Sequence, residues 1–141
     1  MKRYTFIFTL LFISLLVACG SSLSEENKNL RAEVIAVHDE VMPLMGKLKN
    51  LEREALNRAE ELESNPEVDS VQVDELKALA YDLSQAHEGM FVWMRQYDTE
   101  DGERTPEEVK AYLEEQMSMV QKVNEDIKAA LARADVLLGT E

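Results

Sequence analysis

Apolar residues recur at steps of three and four along three stretches of this chain, with polar and charged residues between them. The first stretch covers residues 23–64. Its apolar line is Leu30, Val34, Val37, Val41, Leu44, Leu48, Leu51, Ala55, Ala59 and Leu62. Such spacing puts every member on one face of an α-helix, and Ser64-Asn65-Pro66 predicts its end. The second stretch starts near Asp74, or a few residues earlier at Asp69 or Ser70, and runs through Leu76, Leu79, Leu83, His87, Met90, Met94 and Tyr97. A polar, acidic turn with Gly102 follows over residues 98–104; Tyr97 would fall on the first ligand position of a calcium loop, so the turn does not fit one. The third stretch opens at Thr105-Pro106-Glu107-Glu108. Thr105 is suited to cap, Pro106 to the first helical position, and Glu108 to close a capping box. Its line is Val109, Leu113, Gln116, Val120, Val123, Ile127, Ala130, Ala134 and Leu138.

No sustained period-two alternation interrupts these patterns, and Ala, Leu, Glu, Lys, Gln and Met dominate. The pattern predicts an all-α fold: an up-down-up antiparallel three-helix bundle with short connections. The first helix is long enough to outreach the others near its start, which leaves residues 24–35 with few expected partners and a surface to offer. Coiled-coil pairing through that helix stays open, and with it the oligomeric state.

Ahead of the bundle the pattern differs. Met1-Lys2-Arg3 is followed by an apolar run over residues 5–17 and then by Leu16-Val17-Ala18-Cys19-Gly20. A basic end, an apolar core and small residues before a cut make a secretory leader. The run falls short of the ~20 apolar residues that span a bilayer. Cys19 is the only cysteine. Leu16-Val17-Ala18-Cys19 resembles the lipobox of bacterial lipoproteins. That resemblance implies cleavage before Cys19, diacylation of its thiol and acylation of the new amino group. It divides the chain into a cleaved signal peptide (residues 1–18), a lipidated cysteine with a short polar tether (19–24) and a helical domain (25–141). With no aspartate after Cys19, the sorting rule of such lipoproteins implies the outer membrane. The expected attachment is through the lipid anchor, not by spanning the membrane; acyl chains hold at ~0.8 kcal/mol per buried methylene.

Charge narrows the partners. The chain carries 28 acidic side chains against 15 basic ones, of which Lys2 and Arg3 lie in the leader. A surface this acidic repels nucleic acid and anionic head groups and attracts cations or basic partners.

Three residues break helix rules. Pro43 lies inside the first helix and should bend it, at ~3 kcal/mol, leaving the Asp39 carbonyl without its donor. Gly46 and Gly89 each cost about 1 kcal/mol relative to alanine. Folding the first hairpin with Leu62 across from Asp74 sets Gly46 against Met90, Met45 against Phe91 and Met42 against Met94. Folding the second sets His87 level with Gln116 and Met117. All three rule-breaking residues then share one slab with His38, His87, Met42, Met45, Met90, Met94, Met117 and Met119. Broken local rules often mark functional or strained places. His38, Met42 and Met45 share one face of the first helix; His87, Met90 and Met94 share one face of the second.

Two readings follow. Thioether and imidazole suit Cu(I), so His38, Met42, Met45, His87, Met90 and Met94 are candidate copper ligands, a few of which would suffice. The other reading is packing, because methionine fills gaps and sits well against aromatics. Haem would have to bind without covalent attachment, there being no Cys-x-x-Cys-His. Zinc and di-iron sites lack the ligand spacings they need.

The segments His38-Asp39-x-x-Met42-Pro43-x-Met45-Gly46 and His87-Glu88-x-Met90-x-x-Trp93-Met94 resemble small uncharacterised helical lipoproteins of Bacteroidetes-type bacteria; the resemblance covers most of the mature chain and implies no catalytic residue. No nucleophile elbow, phosphate loop or His-Glu-x-x-His occurs. The expectation is therefore a non-enzymatic envelope lipoprotein that binds copper through the His/Met cluster. The alternative is a structural or adaptor lipoprotein that docks on an envelope protein partner and holds no metal.

Overall fold

The computed structural model describes residues 2–65, 67 and 69–139, with side chains from Ser22 onward. The chain is all-helical, and no strand occurs among the described residues. Helix α1 runs Lys2–Val41, a single 3₁₀ turn covers Met42–Leu44, and α2 follows as Met45–Glu63; α3 is Ser70–Gln96 and α4 is Pro106–Leu138.

Pro43 divides the first apolar line into two helices. It has no N–H to give the Asp39 carbonyl, and the backbone answers with one tighter turn closed by Met45 N–H to the Met42 carbonyl. The α-helix is interrupted there. This turn is the bend of the arm formed by α1 and α2, and the packing partner changes across it: α1 packs chiefly on α4, whereas α2 packs chiefly on α3.

Both later helices start where their caps stand. Asp69 accepts from the N–H groups of Val71 and Gln72, so α3 opens at the earlier of the two expected starts. Thr105 accepts from Glu108 N–H at 3.3 Å, and Glu108 accepts from Thr105 N–H at 2.8 Å, completing the capping box. At the other end Gly139 takes φ +69°, the left-handed conformation that closes a helix without a Cβ clash.

One apolar core runs through the helices. Leu48, Leu79, Leu83, Met90, Leu113, Ile127, Val34, Val41 and Val120 are fully enclosed. The expected stripes supply all nine and also Gln116, which is buried although polar, whereas Met45, Val73, Ala80, Ala86, Trp93 and Leu131 are buried outside them.

The first hairpin closes within about one helical turn of the expected register: Lys77 pairs with Glu63 at 2.6 Å, and His38 meets Trp93. The second does not. Tyr97 stacks near Tyr112 at 6.3 Å, a Cβ at Gly89 would touch Val123, and Arg133 pairs with Asp82. His87 therefore lies level with the region of Val123, not with Gln116 and Met117, a displacement of about two turns. The cause is the length of α1. Past the end of α3, α1 still offers a surface, and α4 starts there: Asn27 donates to the Pro106 carbonyl at 2.7 Å, and Lys110 pairs with Glu26 at 2.6 Å.

The same contacts correct a second expectation. Residues 24–35 are not a bare fringe. Asn27 and Val34 are buried, and Arg31 reaches the Tyr97 hydroxyl, the Asp98 carbonyl and the Asp101 carboxylate.

Candidate functional site: the bend and its histidine

The 3₁₀ turn, the end of α1 and the second half of α3 hold most of the residues singled out by their chemistry. His38 lies one turn before the bend, its side chain 16% exposed. Its Nδ1 is 2.8 Å from Asp39 Oδ1. An ionised carboxylate can only accept, so Nδ1 is the donor in this bond, and in the neutral ring that tautomer leaves the lone pair on Nε2. The ring centroid stands 5.5 Å from that of Trp93, tilted by 36°. Trp93 is buried and stacks on Tyr97 at 4.9 Å. Its Nε1–H has no acceptor among the described residues, and Gln116 Oε1, also buried, has no donor.

The methionines divide. Met45 and Met90 are sealed in the core. Met42, Met117 and Met119 are partly buried against it, and the Met119 sulfur accepts a weak bond from Gln116 Nε2 at 3.7 Å. Met94 stands 39% exposed on α3, because the arm has passed to the α4 side at that level. His87 is partly buried beside Phe91, with centroids 5.0 Å apart. Each histidine thus has its own aromatic partner.

The two glycines are not close-packing devices. A Cβ at Gly46 meets no atom within 4 Å, and one at Gly89 makes only ordinary contact with Val123 at 4.0 Å. Of the three rule-breaking residues, Pro43 alone shapes the backbone.

A polar clasp next to the bend was not legible as such in the sequence. Asn124 is buried on α4 and donates to the Val37 carbonyl at 2.9 Å and to Glu40 at 3.0 Å; Lys128 pairs with Glu40 at 2.6 Å. Hydrogen bonds from Lys128 and then Asn124 hold the Glu40 carboxyl below its usual range, against a smaller opposing effect of burial. The signal available was the spacing Val120, Asn124, Ile127, which continues the apolar line as well as Val123 does. A second clasp joins α1 to the turn after α3 through Arg31, while Arg104 pairs with Asp98 at 2.6 Å and lies 4.5 Å over the Tyr112 ring.

Among the described residues, no group of three or more His, Cys, Asp or Glu side chains is placed to hold a metal ion. The donors that remain at the bend are imidazole, thioether and an aromatic face, a set suited to a soft ion. The Cys19 side chain lies outside the described residues. No protein-family model, curated protein or solved structure matches this chain.

Proposed function

We propose that this chain is a lipid-anchored lipoprotein of the bacterial cell envelope whose helical domain binds without catalysing. The observation that carries the reading is Leu16-Val17-Ala18-Cys19 at the close of an apolar run, with Cys19 the sole thiol of the chain. An unpaired cysteine in an oxidising compartment needs an explanation, and acylation supplies one. The outer membrane is the proposed address. Among the described residues, no helix is long and apolar enough to cross a membrane. The proposed topology is up-down-up. Its support is the order of the ion pairs: Glu26–Lys110, Glu40–Lys128 and Lys47–Asp135 rise together along the arm and α4, whereas Glu63–Lys77 and Asp82–Arg133 run oppositely through α3.

Expression of the full chain in a bacterial host with a clickable palmitate analogue tests the anchor. The wild type should carry label and sediment with membranes, and Cys19→Ala should lose the label. An unlabelled wild type would sink the anchor.

The bound ligand we propose is Cu(I), held by members of the set His38, Met42, Met45, His87, Met90 and Met94. The favouring observation is His38, its Nδ1 against the Asp39 carboxylate, beside the Trp93 ring and one turn from Met42. The competing reading, an adaptor for an envelope protein partner, rests on the core packing of Met45 and Met90. A ligand bound only by the folded state raises its melting temperature, so a specific gain with Cu(I) supports the first reading and none supports the second.

A further inference from the structure

Resting on the copper reading, we infer that the soft-ion site is centred on His38 and the face of Trp93, with Met42 as its thioether donor, and that His87 and Met94 stand outside it. The cation it takes is a monovalent, thiophilic one of the Cu(I) class.

Four features of the bend lead there. First, the Asp39 carboxylate accepts a hydrogen bond from His38 Nδ1 at 2.8 Å, the outer-shell arrangement that fixes a ligating imidazole in the tautomer a metal needs. No partner for Nε2 occurs among the described residues. Second, the indole of Trp93 is 97% shielded (3% exposed) and its centroid is 5.5 Å from that of His38. A desolvated aromatic face attracts cations more strongly than an exposed one. Third, Met42 follows His38 by four residues, on the same side of the arm, and is partly buried against the core. Fourth, the His38 side chain is 16% exposed, beside the exposed carboxylate of Asp39, so the ring is mostly shielded from water yet not sealed.

The remaining candidates lack this combination. Met45 and Met90 are enclosed by packing. His87 has Phe91 beside it and no carboxylate hydrogen bond, and Met94 faces solvent. The chain also carries its own reporter, since Trp93 is the single tryptophan.

The test is an anaerobic titration of the full chain in detergent micelles with Cu(I) against a competing chelator, reading Trp93 emission and the melting temperature. The wild type should take up one equivalent, quench Trp93 with that equivalent and melt higher. His38→Gln and Met42→Leu should weaken binding on the order of tenfold or more, and Asp39→Asn about tenfold. His87→Ala and Met94→Leu should leave it unchanged. Met42→Leu conserves core volume, and Asp39 is exposed, so both variants should fold; circular dichroism melts without copper verify each one. Tight binding that survives His38→Gln and Met42→Leu, or that is lost in His87→Ala with Trp93 emission unmoved, overturns the placement and leaves the copper reading standing. Failure of the wild type to compete with the chelator overturns both.

Discussion

Gly46 and Pro43 stand three residues apart in the arm, yet they act differently on it. Pro43 changes the hydrogen-bond ladder, whereas the space beside Gly46 is open. Gly46→Ala should therefore stabilise the protein by up to about 1 kcal/mol, because alanine loses less backbone freedom on folding into a helix. Calorimetry would read this as a rise of ~3–5 °C in melting temperature; an unchanged or lower value would mean that the bend itself requires the glycine. Residue types alone made the proline legible, since its missing N–H acts locally. They could not tell an idle glycine from a needed one, because that depends on what lies opposite. Asn124 illustrates the same limit. Its spacing from Val120 and Ile127 fits the apolar line, but that it donates to the Val37 carbonyl depends on α1, far off in the sequence.

At the scale of the helix, ends were readable and registers were not. Thr105-Pro106-x-Glu108 announces α4 by itself, and the reciprocal bonds are present. Thr105→Ala should cost about 1 kcal/mol. The effect depends on pH in a definite sense. Hydrogen bonds from the Thr105 backbone N–H and then its hydroxyl hold the Glu108 carboxyl below its ordinary range. Its folded value lies below its unfolded one, so this contribution is fully present above the unfolded value, about 4.3, and fades as pH falls through the folded value. Thermal melts at neutral pH and near pH 3 should show the gap between wild type and Thr105→Ala narrowing in acid; a gap that widens would refute the capping-box account. The register of α3 against α4 was missed for a non-local reason. A turn with so many polar residues suggests only that the chain reverses. Where the start of α4 docks is set by Asn27 and Glu26, roughly eighty residues earlier, which receive Pro106 and Lys110 beyond the end of α3.

At the scale of the whole molecule, the all-helical fold and its core followed from the three apolar lines, because period 3.6 is the dominant signal an amphipathic helix leaves. The residues of the expected His/Met slab stand in different surroundings. His38, Met42 and Met45 flank the bend along the chain and Met45 and Met90 are buried, but Met94 is exposed and His87 has Phe91 beside it. The clasp of Asn124, Glu40 and Lys128 stands where the arm changes its packing partner from α4 to α3. Asn124→Ala should cost about 1 kcal/mol for the Val37 bond alone. It should also speed amide exchange in α1 near the bend more than in α3, and uniform change across all helices would argue against a local clasp.

The side-by-side run of α1 and α4 has a mechanical consequence. Their polar pairs are spread along both rods, from Glu26–Lys110 at one end to Glu40–Lys128 near the bend, with Arg31 gripping the turn after α3 between them. A tug applied at the start of α1 loads these fastenings together, in shear, and does not peel them apart one after another. On the proposed anchoring through Cys19, a pull would therefore meet the paired rods at once, at the Glu26–Lys110 end.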